Sequence, residues 1–395
     1  MKRLLIIGAS VLQLPAIIKA KEMGLYVGVA DYNPTAVGIS YADEYYNVST
    51  IDEEGIYEAA KSFKADGIMT LATDMPMRSV AYATTKLGLV GITYDTAVKA
   101  TDKGEMFKAF ETANVEHPWF YILKSSSDLA GLVSKITFPC ITKPVDNAGS
   151  RGVMLVHSPN ELRHAVEYSS ENGRSGSVIV EEYLEGKEVS VEIIVINGIV
   201  HVLQVTDKLT TGAPHFVEMG HSQPCGLGDG NVEKIKNLAE RAVKAIGILN
   251  GPAHVEIMLT DRGPKMIELG ARMGGDCITT HLVPLSTGID MVRATIEISL
   301  GMKPDVLPKY SKASAIRYFP SVRGTIKGIY NIKEAECIRG IKEITFVHGI
   351  GSTISDVASS TDRIGFVIAQ GDNTCEAIRA CEEAINVITI EEEYV

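Results

Sequence analysis

The sequence predicts an α/β protein whose later part is α+β: a doubly wound parallel sheet, then antiparallel strands with helices set between them. Three observations carry this expectation. Over the first hundred residues, apolar runs of strand length alternate with helical patterns, as parallel βαβ units require. From residue 119 onward β-rich runs follow one another closely. The 395 residues, 45% hydrophobic and 22% charged, have a globular composition, and their number fits two or three domains.

The elements follow in order. "RLLIIGAS" is a buried strand, 13–23 a helix, and "YVGVADYN" a second strand ending in Asp31. "IDEEGIYEAAKSFK" is a helix opened by Asp52, "GIMTLAT" a third strand and "PMRSVAYATTKLG" another helix. Ligands of such sheets lie beyond the carboxyl ends of strands, here near Ala9, Ser10, Asp31 and Asp74. The first turn reads "GAS", without the G-x-G-x-x-G of a dinucleotide site, which argues against a nicotinamide enzyme. After a helix at 102–115 come the strands "FPCITKP", "VMLVHS", "SVIVEEYL", "EVSVEIIVI" and "IVHVLQVT". An amphipathic helix, "NVEKIKNLAERAVKAIGI", precedes a hairpin from 253 to 269. Strands near 313–319, 344–347 and 364–370 and a final helix at 374–388 form a small C-terminal α+β region. The expected division is 1–98, 99–310 and 311–395, with a lid over about 116–184 inside the middle unit.

Composition excludes several functions. The net charge is -11 and no Lys/Arg cluster stands out, so nucleic-acid binding is not expected. No stretch approaches the roughly 20 apolar residues that span a bilayer. The apolar start is broken by Gly8, Gln13 and Pro15, so it reads as strand and helix rather than a signal peptide. Six cysteines without C-x-x-C or zinc spacing point to a reduced, cytoplasmic protein.

Chemistry concentrates in three stretches. In "GPAHVEIMLTDRGPKMIELG" two strands are joined by "TDRGP". Pairing Leu259 with Lys265 sets Ile257 against Ile267, Val255 against Leu269 and Glu256 against Glu268. A slip by one breaks the apolar face, so this register is expected. Like charges directly opposite destabilise a sheet unless a cation neutralises them. Two hard oxygen donors suit Mg²⁺ or Mn²⁺, shared with substrate phosphates. In "CITKPVDNAGSRGVMLVHS", Lys143 closes a strand, and a loop of Gly149, Ser150, Arg151 and Gly152 can fold its N–H groups over phosphates. This is not a Walker loop. In "VIVEEYLEGKEVSVE", a connector between strands can offer its backbone to an adenine edge, with Glu188 placed for ribose hydroxyls.

Together these pieces resemble the ATP-grasp superfamily of carboxylate–amine ligases. The resemblance rests on the order of Lys103, Lys143, "GSRG", "EEYLEGKEVSVE", "HVEIML" and "IELGAR". It implies an ATP-grasp fold behind an N-terminal parallel-sheet domain. It also implies that Lys103 and Lys143 contact ATP phosphates under a lid of Ser150, Arg151 and Gly152. Glu181 and Leu184 then belong to the adenine hinge, Glu188 holds ribose and Met258 packs on adenine. Glu256 and Glu268 hold Mg²⁺, and Arg272 stabilises the developing charge. The family usually has asparagine two residues after the second metal-binding acid; here that residue is Gly270.

"PHFVEMGHSQPC" followed by "ELGARMGGD" is most similar to the L-amino-acid ligase branch, which implies His221 near the substrate. Gly274 and Gly275 permit close approach to an acyl phosphate, Asp276 is placed to orient the amine, and Asp74 and Ser10 are weaker candidates facing the same cleft. The implied activity is ATP-dependent joining of a carboxylate to an amine, releasing ADP and phosphate. Small-molecule substrates and a homodimer are expected. The alternatives are a synthetase like phosphoribosylglycinamide synthetase, an enzyme like carbamoyl-phosphate synthase or biotin carboxylase, and a nucleotide-binding regulator without catalysis.

Overall fold

The computed structural model describes residues 1–393 except 148, 150, 213–215, 321–322, 355–356 and 358; of 126, 127 and 130 it describes the backbone alone. Four parallel strands open the chain in the spatial order Glu44–Tyr46, Tyr26–Ala30, Arg3–Ile7, Gly67–Met69. Leu4 to Ile7 are fully buried, as a strand covered on both faces requires. The helix Glu53–Phe63 starts where the Asp52 side chain accepts from the Gly55 N–H. Asp31, expected near a ligand, instead folds its carboxylate onto the N–H groups of Ala9 (2.8 Å) and Asn33 (2.9 Å).

A second sheet of four antiparallel strands, Phe120–Leu123, Val178–Glu182, Cys140–Pro144 and Met154–Val156, packs against the helix Pro159–Glu171. It carries the glycine-rich loop between its last two members.

The third sheet has eight strands in the order Gly263–Gly270, Gly251–Thr260, Lys187–Ile196, Ile199–Thr210, Glu218–Gln223, Ala313–Tyr318, Gly365–Gly371, Ile341–Phe346. Strand periodicity gives it two different faces. Val189, Val191, Ile193, Ala253, Val255 and Ile257 form one core with Ile235, Leu238, Ala242 and Val243 of the helix Asp229–Ile246. The alternate residues of the same two strands, among them Glu188, Glu192, His254, Glu256 and Met258, belong to the other face. At the far end Ile194 and Ile196 share a core with Leu4, Ile6, Met69, Met291 and Ile296, which fastens the first sheet to the third.

Three segments not anticipated as strands, Gly324–Tyr330, Thr353–Ile354 and Thr389–Glu393, form a further small sheet. "GTIKGIY" carries two glycines and "TIEEE" three acids, so neither has a strand pattern strong enough to read. Glu218–Gln223 was equally unreadable: "EMGHSQ" is polar, yet it pairs with a neighbour on each side.

Candidate active site

The polar face of the eight-stranded sheet and the four-stranded antiparallel sheet enclose a cleft of about 1260 Å³, open solvent at its mouth included. At its floor Glu256 lies directly opposite Glu268, and Val255 opposite Leu269, as the apolar pattern requires. Beyond that pair the register departs from expectation. A bulge sets Ile257 against Met266, Met258 against Lys265 and Leu259 against Pro264, so Ile257 does not face Ile267. The extra residue lets Met266 fill the core, fully buried, while Ile267 turns to line the cleft.

Each floor carboxylate has a lysine. Lys103 begins the helix Lys103–Thr112, capped by Asp102, and its Nζ reaches Glu268 Oε1 at 2.9 Å and the Asn147 carbonyl at 2.7 Å. Burial alone would lower the Lys103 ammonium; Glu268 outweighs it and the pKa rises. Lys208, with its side chain 4% exposed, bonds to Glu188 and lies 3.3 Å from Glu256 and 3.5 Å from Glu218. Against the cost of burial, those three carboxylates hold it well above its ordinary value. Glu256 is correspondingly well below its own: burial opposes ionisation, but Lys208 and His254 overcome it.

Lys143 is buried on the strand Cys140–Pro144 and is not unpaired: its Nζ lies 2.7 Å from Glu181 Oε1. Burial raises the Glu181 pKa despite that partner, and its buried Oε2 has no hydrogen-bond partner among the described residues. Gly149, Arg151, Leu184, Glu188 and Met258 also line the cleft. Ser150 lies outside the described residues. Gly152 sits at φ +77° beside the cleft, where a Cβ would come within 2.7 Å of Asn172 and 2.8 Å of Pro144.

Arg272 lines the cleft and is gripped from outside it. Its Nε donates to Asp74 Oδ1 at 3.0 Å, its Nη2 to Asp74 Oδ2 at 2.9 Å and its Nη1 to the Met273 carbonyl at 3.1 Å. Behind it, His254 bridges Glu192 (3.0 Å) and Glu256 (3.3 Å). Burial disfavours its charge, but the two carboxylates push it up to about 9, so it is an imidazolium at neutral pH.

The loop after Arg272 gathers the remaining candidates away from the cleft lining. His221, 1% exposed, faces Asp276 at 3.4 Å through Nε2, while its buried Nδ1 has no partner among the described residues. Asp276 (φ +50°) is held by Arg363 through two hydrogen bonds of 2.7 and 2.8 Å. A Cβ on Gly275 would meet nothing within 4 Å.

An ATP-grasp domain model matches residues 136–280, and an L-amino acid ligase C-terminal domain 2 model matches residues 317–393. The chain carries an ATP-grasp domain. Alanine–anticapsin ligase of Bacillus subtilis (strain 168) is 26% identical over 317 residues, covering 74% of this chain and 66% of that one. The crystal structure of L-amino acid ligase from Bacillus licheniformis has the same fold, with a TM-score of 0.85, 23% identity and coverage of 100% and 99%. That of phosphoribosylglycinamide synthetase from Anaerococcus prevotii gives 0.81, 26% identity and coverage of 99% and 100%. The chain spans only 24–32% of the length of several larger curated relatives. The ATP-grasp fold read from the sequence is therefore the fold observed.

The donor set is of a kind that suits a divalent cation. Two facing carboxylates present hard oxygen donors. No group of three or more acidic, His or Cys side chains among the described residues is arranged to hold a metal.

Lys208, His254, Glu192 and Arg363 were missed in the sequence. "TDKLT" and "SVEIIV" do interrupt apolar strands with single charges, a signal that a partner was waiting. Arg363 gave no signal at all.

A prediction arises from the glycine that follows Met273. A Cβ on Gly274 would lie 2.6 Å from His254 Nδ1 and 3.0 Å from Glu192 Oε2. Gly274→Ala is expected to displace that pair and cost about 1–3 kcal/mol in urea unfolding. The folded-state pKa of His254 is raised from 6.5 to about 9, so the pair's contribution is fully present below 6.5. It is lost as pH rises through about 9, and the penalty of Gly274→Ala narrows there. A penalty unchanged between pH 6 and pH 10 would contradict the ion-pair account.

Proposed function

We propose that the chain joins the carboxylate of one amino acid to the amine of another, using ATP and releasing ADP and phosphate. A carboxylate oxygen attacks the γ-phosphorus, the bond to the bridging oxygen breaks, and ADP leaves. The amine nitrogen then attacks the acyl carbon, loses a proton, and the acyl–phosphate bond breaks to release phosphate.

The observation that carries this reading is the facing Glu256–Glu268 pair on the floor of a cleft that also holds Lys103, Lys143 and Arg272. Lys103 and Lys143 take the phosphates of ATP, with Arg151 and Gly152 in the loop over them. Leu184 and Met258 line the adenine site, where the partnerless Oε2 of Glu181 can accept from an exocyclic amine. Glu188 takes the ribose. Glu256 and Glu268 would hold Mg²⁺ or Mn²⁺, which offsets the charge on the phosphates. Arg272 stabilises charge on the transferring group. Lid closure keeps water from the acyl phosphate. The amino-acid class rests on the C-terminal domain match and on the ligase relatives. Six cysteines without a disulfide suit a reduced, cytoplasmic setting.

The test is ADP and phosphate release with Mg·ATP and a panel of amino acids, singly and in pairs, with product mass recorded and Glu268→Gln as control. Turnover that needs two amino acids, fails in the control and gives their summed mass less water is the expected result. Turnover only with a phosphoribosyl amine would overturn the amino-acid reading. ATP binding without turnover on either class would overturn the catalytic one.

A further inference from the structure

Gly270 ends the strand Gly263–Gly270, two residues after Glu268 and two before Arg272. A glycine at a strand end commonly answers a backbone demand, but Gly270 has no positive φ. Its reason is steric. A Cβ there would lie 2.9 Å from Asp74 Oδ1, 3.0 Å from Arg272 Nε and 3.2 Å from Arg272 Cζ. Those atoms belong to one bidentate ion pair that crosses from the loop after Gly67–Met69 to the end of the eight-stranded sheet. The two side chains are only 16% and 17% exposed.

We propose that Gly270 is the cut-out that lets Asp74 reach Arg272, and that Asp74 is the positioning residue that aims the Arg272 guanidinium into the cleft. The space a side chain at position 270 would fill is taken by the carboxylate that fixes the arginine. Planar, two-point pairing sets both direction and distance, which a lone arginine on a loop lacks. The first domain thereby contributes to the reacting centre without touching it. The catalytic part of this inference rests on the ligase reading of Arg272; the coupling between positions 270 and 74 does not.

The experiment is a double-mutant cycle of Gly270→Ala and Asp74→Ala in the full chain, with Asp74→Asn as the conservative variant. Each single variant is expected to lower kcat on the order of 10- to 100-fold, because the arginine is misplaced rather than removed. The KM for ATP should move less than about twofold, since the phosphate lysines are untouched. The double variant should be no slower than the worse single one, and Asp74→Asn should keep part of the rate. Additive losses, or Gly270→Ala at the wild-type kcat, would overturn the proposal. Urea unfolding midpoints of the same four proteins, with Mn²⁺·ADP affinity by calorimetry, read the cycle without turnover. Non-additive midpoints support the cut-out even if no amino-acid pair is a substrate. Additive midpoints, or Gly270→Asn binding Mn²⁺·ADP more tightly with its midpoint unchanged, sink it.

Discussion

Arg272→Lys is expected to lower kcat for amide formation by about 100- to 1000-fold, the effect of losing one preorganised donor to transition-state charge. Lysine keeps the charge but not the fork. Arg272 uses Nε and Nη2 on Asp74 and Nη1 on the Met273 carbonyl, three directions fixed by one plane. A single ammonium cannot answer both Asp74 oxygens and face the cleft in the same geometry. The KM for ATP should stay within roughly threefold, because an interaction made in the transition state alone moves kcat rather than KM. Steady-state phosphate release over a range of ATP concentrations separates the two. A lysine variant with near wild-type kcat would remove Arg272 from the chemistry.

The second large effect concerns stability. Arg363→Ala should cost about 3 kcal/mol in urea unfolding, because it leaves Asp276 half-buried without its cation. The guanidinium also bonds to the Glu218 carbonyl at 3.0 Å and stacks 3.8 Å from the Tyr318 ring centre, so packing is lost with charge. Burial would raise the Asp276 carboxyl, but Arg363 and His221 overcome this and hold it well below its ordinary 3.8. A depressed folded pKa gives stability that is present above 3.8 and lost as pH falls through the folded value. The gap between wild type and Arg363→Ala is therefore expected to be full at pH 7 and to shrink on acidification below about pH 4. Removing both charges, in Asp276→Asn with Arg363→Met, should recover part of the loss. A gap independent of pH, with no recovery in the double variant, would point to packing alone.

The same loop shows how two regions of the sequence meet. Arg363 comes from the segment before Gly365–Gly371, and Asp276 from the turn after Arg272. Their contact fixes a backbone in which Asp276 and Cys277 both have positive φ, a strained pair that needs support from outside. The C-terminal region thus shapes the turn that carries Gly274 and Gly275 just after Arg272.

Local chemistry made much of the site readable in advance. The alternation in "HVEIML" and "KMIELG" requires Val255 and Leu269 on one face, so Glu256 and Glu268 must share the other. A lysine in the apolar run "CITKP" required a partner, and the fold supplies Glu181. Order and spacing were enough for the superfamily, because those residues lie on consecutive strands and turns whose geometry is set by near neighbours. The bulge at Ile267 was not readable, since it depends on Met266 filling a core closed by a helix far along the chain. The partners of the charges were not readable either. Lys103 with Glu268, Lys208 with Glu256, Arg272 with Asp74 and Arg363 with Asp276 are joined over 165, 48, 198 and 87 residues. Periodicity fixes which way a side chain points from its own strand or helix. Which opposite charge stands there is decided by how separate sheets pack, and that information exists only in the folded chain.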